Sequence, residues 1–106
     1  MRTLPLLTLL ILSGFSVGAL AANQIVNQKG RVFSMPNVTI KKGDSLTFLN
    51  DDNVPHNILS TSAGNEFNLG SQLPGTATDV TFKASGDVQV LCAIHPRMKM
   101  LVNVTD

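Results

Sequence analysis

The sequence contains a single cysteine, no tryptophan and no tyrosine, and each of these shortages excludes a class of protein. With Cys92 alone the chain cannot close an internal disulfide, so it is not one of the small folds that disulfides hold together. The lack of tryptophan and tyrosine removes the side chains on which bases and sugars usually stack. Charge is balanced, with 8 basic and 7 acidic residues, and no basic stripe is present. We therefore expect no nucleic-acid partner.

Long apolar runs are confined to the N-terminus. Arg2 precedes an apolar run over residues 4–12, and the small-x-small sequence of residues 19–21 is of the kind that signal peptidase cleaves. The run is too short to span a membrane, so we expect no membrane anchor in the mature form. The pattern predicts a cleaved signal peptide over residues 1–22, export to the periplasm, and one domain over residues 23–106.

From Asn23 onward no stretch has the period of an amphipathic helix. Short alternating segments are separated by glycine, proline, asparagine and aspartate, which indicates an all-β sandwich or barrel of about seven strands. The segments with strand character fall at residues 24–26, 31–33, 38–40, 45–49, 56–59, 67–69, 76–82, 88–92 and 100–104. The first two segments are expected to pair as a short ribbon or to form an edge strand.

A lone cysteine is unusual in an exported protein. A free thiol in an oxidising compartment is a liability unless something occupies it, and coordination to a metal would do so. The predicted mature chain is also small for a single core, so a bound metal would add useful stability.

Metal-capable side chains cluster near the C-terminus. Cys92 is followed by His95, Met98 and Met100, and the only other histidine, His56, precedes a predicted strand. Each residue alone is explained more simply, as a buried thiol, a core methionine or a surface histidine. Together, one thiolate, two imidazoles and a thioether form the blue-copper ligand set, whereas structural zinc sites usually use four nitrogen or sulfur ligands without a thioether. The pattern predicts one type 1 copper ion per chain.

Two segments resemble the cupredoxins, particularly the amicyanin and plastocyanin group. Residues 54–58, Val-Pro-His-Asn-Ile, are similar to the segment that carries the first histidine ligand in that group. The run Cys92-x-x-His95-Pro96-x-Met98 resembles the amicyanin ligand loop. The resemblance implies a Greek-key fold, metal ligation through Nδ1 of both histidines, and an outer role for Asn57, whose side chain is expected to tie the His56 segment to the Cys92 loop.

The axial ligand has two candidates. Amicyanin-like loops place the methionine three positions after the second histidine, at Met98, and plastocyanin-like loops place it five after, at Met100. In the family, inward apolar residues follow the axial methionine at plus four and plus six, which from Met98 are Val102 and Val104. From Met100 the second of these would be Asp106. We therefore predict Met98, with Met100 as the alternative.

The ligand set favours transfer of single electrons over catalysis. Both histidines are used by one site and an axial methionine closes the position that a substrate would need, so no enzymatic activity is expected. The alternative is a periplasmic protein that binds copper for tolerance or delivery, whose ligands would be similar. Pro96 is expected to stiffen the loop next to the site because its ring fixes φ.

The expected partners are redox proteins that dock briefly at the face around His95, with the chain itself a monomer. An apolar rim is expected there from Pro55, Pro96, Met100 and either Met35 or Leu73 with Pro74. Arg97 and Lys99 lie in or beside the ligand loop, which indicates a preference for partners with acidic docking surfaces.

Overall fold

The computed structural model describes Thr3 and residues 23–106, and nine strands form the fold. The predicted signal peptide lies, apart from Thr3, outside the described residues. No helix among the residues described is long and apolar enough to cross a membrane. The strands are β1 (Asn23–Lys29), β2 (Val32–Phe33), β3 (Asn37–Lys41), β4 (Ser45–Asn50), β5 (Ile58–Ser60), β6 (Phe67–Asn68), β7 (Ala77–Thr81), β8 (Gly86–Cys92) and β9 (Lys99–Thr105).

The strands form two sheets, which confirms the predicted all-β sandwich. One sheet has the order β2-β1-β4-β7 and the other the order β3-β9-β8-β5-β6. Two neighbouring pairs, β1 with β4 and β3 with β9, are parallel, and the remaining pairs are antiparallel. Seven strands have three residues or more, while β2 and β6 have two each.

The expected ribbon at the start of the domain forms in a different register. Residues 28 and 29 pair with residues 33 and 32, whereas residues 23–28 pair in parallel with β4. The alternation of Ile25, Val26 and Asn27 explains why β1 joins the four-stranded sheet, because Val26 is fully buried when it lies beside Phe48.

The core lies between the sheets and follows the alternation of each strand. In β9 every second residue is buried, and the same period of two runs through β4 and the end of β8. Four phenylalanines connect the sheets, because Phe48 contacts Phe33 and Phe67 at ring-centroid distances of 6.3 Å, and Phe67 lies 6.0 Å from Phe82. These contacts hold the two sheets together at a fixed spacing.

The strand order brings three distant segments to one end of the sandwich. β8 lies between β5 and β9, with Cys92 opposite Ile58 on one side and Leu91 opposite Lys99 on the other. The residues just before β5, at the end of β8 and just before β9 therefore lie side by side. These are the segments in which the candidate metal ligands occur.

Two isoleucines on β-strands test the account of the core. Ile40 in β3 is 4% exposed and Ile25 in β1 is 57% exposed. Ile40→Ala should lower the free energy of unfolding by about 2–5 kcal/mol because it leaves a cavity. Ile25→Ala should lower it by about 1 kcal/mol or less. Urea denaturation of the metal-free protein measures both, and equal losses would contradict the placement of the core.

Candidate metal centre

His56 lies just before β5 and is completely buried. Its backbone forms an isolated β-bridge to Gln72. The N–H of His56 donates to the carbonyl of Gln72 at 3.0 Å, and the N–H of Gln72 donates to the carbonyl of His56 at 2.7 Å. The predicted strand over residues 56–59 therefore begins later than expected, at Ile58. The bridge fixes the main chain at His56 and leaves its ring directed into the end of the sandwich.

Cys92 is the last residue of β8 and is 3% exposed. Its sulfur accepts a hydrogen bond from the backbone N–H of Asn57 at 3.4 Å. The backbone of Asn57 also accepts from the N–H of Ala93 at 2.9 Å. The His56 segment and the end of β8 are thus joined on both sides of the thiol.

His95 lies in the loop that connects β8 to β9. The N–H of Met98 donates to the carbonyl of His95 at 2.9 Å, which closes a four-residue turn with Pro96 in its second position. Proline suits that position because its fixed φ matches the turn. The N–H of Cys92 donates to the carbonyl of Met98 at 3.3 Å, so both ends of the loop are tied to each other.

The side chains of His56, Cys92 and His95 meet at one point, and their candidate donor atoms all lie within 4.8 Å of one another. The Nδ1 atoms of the histidines are 3.1 Å apart, and the sulfur lies 3.8 Å from Nδ1 of His56 and 3.7 Å from Nδ1 of His95. Metal bonds of about 2.0 Å to nitrogen and 2.3 Å to sulfur, at angles of about 100–125°, place the two nitrogens about 3.1–3.5 Å apart and the sulfur about 3.3–3.8 Å from each nitrogen. The three donors therefore fit a single metal ion in a trigonal plane.

The two candidate methionines are both buried, Met98 at 1% and Met100 at 2% exposure. They differ in register. Met100 is paired with Val90, two residues before Cys92 along β8. Met98 lies two residues nearer the site, where its carbonyl accepts from the N–H of Cys92. Neighbours directly opposite in an antiparallel pair have close side chains, so the register favours Met98 as the neighbour of the metal.

A carboxylate contacts the far side of His56. Oδ2 of Asp52 lies 2.8 Å from Nε2 of His56, and the two side chains are 9% and 0% exposed. Partial burial raises the pKa of Asp52, but hydrogen bonds from the Arg31 amide, His56 and the Gly30 amide lower it, and the pKa lies below its ordinary value. Asp52 is therefore a carboxylate at neutral pH. No sequence motif predicts this contact, because nothing in the polar run after β4 distinguishes Asp52 from Asp51.

Buried amide side chains support the loop that leads to His56. Asn50 donates to the carbonyls of Val54 at 2.9 Å and Gln72 at 2.8 Å, and its Oδ1 accepts the N–H of Asp52 at 3.0 Å. Gln72 donates to the carbonyl of Phe48 at 2.7 Å. Sequence patterns did not identify these residues, because asparagine and glutamine near turns are usually assigned to exposed loops.

The prediction that the side chain of Asn57 ties the His56 segment to the Cys92 loop is wrong. The side-chain amide of Asn57 donates to Oδ1 of Asn68 at 2.8 Å. The tie between the His56 segment and the Cys92 loop is made by the backbone N–H and carbonyl of Asn57. The physical reason is the antiparallel pairing of β5 with β8, which directs the main chain of Asn57 toward Cys92.

A groove beside His95 opens to the surface. It is lined by Gly30, Arg31, Val32, Ile94, His95, Pro96 and Arg97. Pro96, one of the residues expected at an apolar rim, lines this groove, whereas the expectation is wrong for Met100, which is buried and pairs with Val90. Two apolar residues that sequence reasoning missed, Val32 and Ile94, are 58% and 51% exposed.

The sequence matches a family of copper-binding proteins. Residues 21–105 match the model of the family described as copper binding proteins, plastocyanin/azurin family. The chain is 34% identical over 70 residues to the methylamine utilization protein MauL of Methylorubrum extorquens, and 36% identical over 70 residues to amicyanin-alpha of the same organism. These matches cover 65% and 63% of this chain, and 61% and 59% of the relatives. The chain thus spans about three fifths of the curated relatives' length.

A solved structure described as a novel purple cupredoxin from Nitrosopumilus maritimus superposes with a TM-score of 0.68 at 26% identity. The superposition covers 77% of this chain and 99% of the purple cupredoxin chain. The chain belongs to the plastocyanin/azurin family of copper-binding proteins. Its metal is copper, and the converging cysteine sulfur and imidazoles form a site of the type 1 kind.

Two asparagines near the His56 loop test the buried amide network. Asn50→Ala would leave the Val54 carbonyl and the Asp52 N–H without their partner and would remove one of the two donors to the Gln72 carbonyl, so the free energy of unfolding should fall by about 1–3 kcal/mol. Asn53→Ala, in the same loop but exposed, should change it by about 0.5 kcal/mol at most. Chemical denaturation of the metal-free variants measures the difference. A small loss in Asn50→Ala would contradict the supporting role of this side chain.

Proposed function

We propose that the protein is a small periplasmic blue-copper protein that carries single electrons between redox partners. The observation that supports this most strongly is the meeting of one thiol and two imidazole Nδ1 atoms within 4.8 Å at a buried end of the sandwich. Copper bound there would cycle between Cu(II) and Cu(I), taking one electron from a donor and passing it to an acceptor. A thiolate suits Cu(I) and imidazoles keep Cu(II) acceptable, so both oxidation states are stable.

The proposed ligands are His56, Cys92, His95 and Met98. Cys92 would lose its proton on binding the metal, and the N–H of Asn57 would then stabilise the thiolate. His56 and His95 would bind through Nδ1, the atoms that face each other. Met98 would supply a long axial contact, which its register next to Cys92 supports.

Hydrogen bonds within the protein favour a carrier over a protein that delivers copper. Delivery requires a ligand to leave readily, but His56 is bridged to Gln72, Cys92 is bonded to Asn57, and the His95 loop is closed by its turn. Ligands held in this way change little between oxidation states, which lowers the energy needed to reorganise the site. A catalytic role would need an open coordination position, and the proposed ligand set leaves none.

The groove beside His95 is the proposed docking surface for redox partners. His95 is partly exposed there and is also a proposed copper ligand, so it would offer a direct path for an electron from the surface to the metal. The apolar side chains of Val32 and Ile94 would contact the partner, and Arg31 and Arg97 would favour acidic residues on it. We propose that the carrier acts as a monomer in brief complexes with a small interface.

Adding Cu(II) to the purified metal-free protein tests the site. An intense visible absorption band is expected, because the covalent bond between copper and the Cys92 thiolate would give a charge-transfer transition. Cys92→Ser should lose the band, and Ala93→Ser, a matched serine at the next position, should keep it. A colourless protein that binds zinc in preference would overturn the proposal.

Two leucine substitutions test the axial ligand. Met98→Leu should raise the reduction potential and change the electron paramagnetic resonance spectrum, because a thioether donor is removed from Cu(II). Met100→Leu conserves volume in the core, so it should leave the spectrum unchanged and alter stability by about 1.5 kcal/mol or less. The reverse pattern would assign the axial position to Met100.

Charge reversal beside the groove tests the docking surface. Arg97→Glu with Lys99→Glu should slow electron transfer to an acidic redox protein at low salt by about tenfold or more, and the difference should shrink as salt rises. Lys41→Glu with Lys42→Glu, at the other end of β3 and β9, makes the same change in net charge and should have little effect. Stopped-flow rates across ionic strength measure both. Equal slowing by the two pairs would contradict docking at His95.

A further inference from the structure

The turn between β1 and β2 directs two consecutive backbone N–H groups at one carboxylate. Lys29 pairs with Val32, so Gly30 and Arg31 form a two-residue turn, and both have positive φ, 64° and 57°. The N–H of Gly30 donates to Oδ1 of Asp52 at 2.6 Å, and the N–H of Arg31 donates to Oδ2 at 3.0 Å. A non-glycine residue persists in the left-handed region only where its surroundings stabilise it, and the bond to Asp52 does so for Arg31.

Asp52 is also held from its own loop. Its N–H donates to Oδ1 of Asn50 at 3.0 Å, and Asn50 is fully buried and bonded to two backbone carbonyls. The main chain and the carboxylate of Asp52 are therefore fixed independently, one by β4 and the other by the β1–β2 turn.

The contact with His56 selects one form of the imidazole. A carboxylate only accepts hydrogen bonds, so Nε2 of His56 carries the proton in the 2.8 Å contact with Asp52. In the neutral ring, Nδ1 is then unprotonated, and it is Nδ1 that lies 3.8 Å from the Cys92 sulfur and 3.1 Å from Nδ1 of His95. The atom needed for coordination is thus left available on the side that faces the other donors.

We propose that Asp52 is a positioning residue of the copper site, and that the Gly30–Arg31 turn holds its carboxylate so that His56 presents Nδ1 to the metal. This inference rests on the proposed function of the site. Asp52 touches the ligand and not the metal, so it acts by fixing the tautomer and the angle of the ring. A charged acceptor also makes the imidazole a stronger donor, which favours Cu(II) over Cu(I).

The chain offers a matched pair of substitutions. Asp52→Asn keeps the shape of the side chain but leaves one acceptor oxygen for three N–H donors, and its amide group would face either His56 or the turn. Asp51→Asn removes the same charge from the adjacent residue, whose side chain is 55% exposed and lies 3.8 Å from the Lys29 ammonium. The comparison separates the local contact from the change in net charge.

The first measurement uses the metal-free protein and imidazole nitrogen NMR. In the natural chain and in Asp51→Asn, His56 should be the Nε2–H tautomer, and in Asp52→Asn the Nδ1–H form should become populated. If Asp52→Asn does not fold, the natural chain alone decides the question. An Nδ1–H tautomer there would overturn the proposal, and the Nε2–H tautomer would support it.

The second measurement is the reduction potential of the copper-loaded protein. Asp52→Asn should weaken Cu(II) binding relative to Cu(I) by about tenfold, which raises the potential by about 59 mV for one electron. Asp51→Asn should leave the potential close to its original value. Equal potentials in the two variants would overturn the positioning role. Failure of the natural chain to bind copper would instead refute the proposed function and leave the tautomer result standing.

Discussion

The placement of β8 between β5 and β9 is the constraint on which the rest of the site depends. Cys92 is paired with Ile58 on one side, and the carbonyl of Met98 accepts its N–H on the other. These two neighbours bring a segment some 36 residues earlier in the chain and the loop after Cys92 to the same sulfur. The buried alternation of β4, β8 and β9 fixes this register, because a slip of one residue would turn the core side chains outward.

Each protein contact around the three donors restrains a different part of the site. The Gln72 bridge fixes the main chain at His56, the Asn57 N–H fixes the sulfur, and a proline-containing turn closes the loop at His95. Asp52 restrains the ring of His56 from behind. A site restrained at so many points suits a function in which the metal changes charge while its ligands stay in place.

The sequence predicted the sandwich and the three converging side chains well, because alternation and rare residues carry that information. Cys92 and the two histidines stood out since the chain has one cysteine and two histidines in all. Strand boundaries were less accurate near the site, where the pairing of His56 with Gln72 depends on contacts between loops.

The supporting contacts could not be predicted in the same way. Asp52 and Asp51 are adjacent and chemically identical, and only the three-dimensional turn at Gly30 and Arg31 separates a buried acceptor from an exposed one. Asn50 is buried for a similar reason, since the carbonyls that it satisfies belong to distant segments. Polar residues with such roles have no period and no fixed spacing, so pattern analysis assigns them to exposed loops.

We infer that the protein, more than the metal, sets the geometry of the donors. Crystal structures of the metal-free, Cu(II) and Cu(I) proteins at mildly alkaline pH would test this most directly. We predict that the sulfur and the two Nδ1 atoms keep their separations within about 0.5 Å in all three states. A metal-free structure with His56 or His95 turned away from Cys92, or a large rearrangement on reduction, would contradict the account.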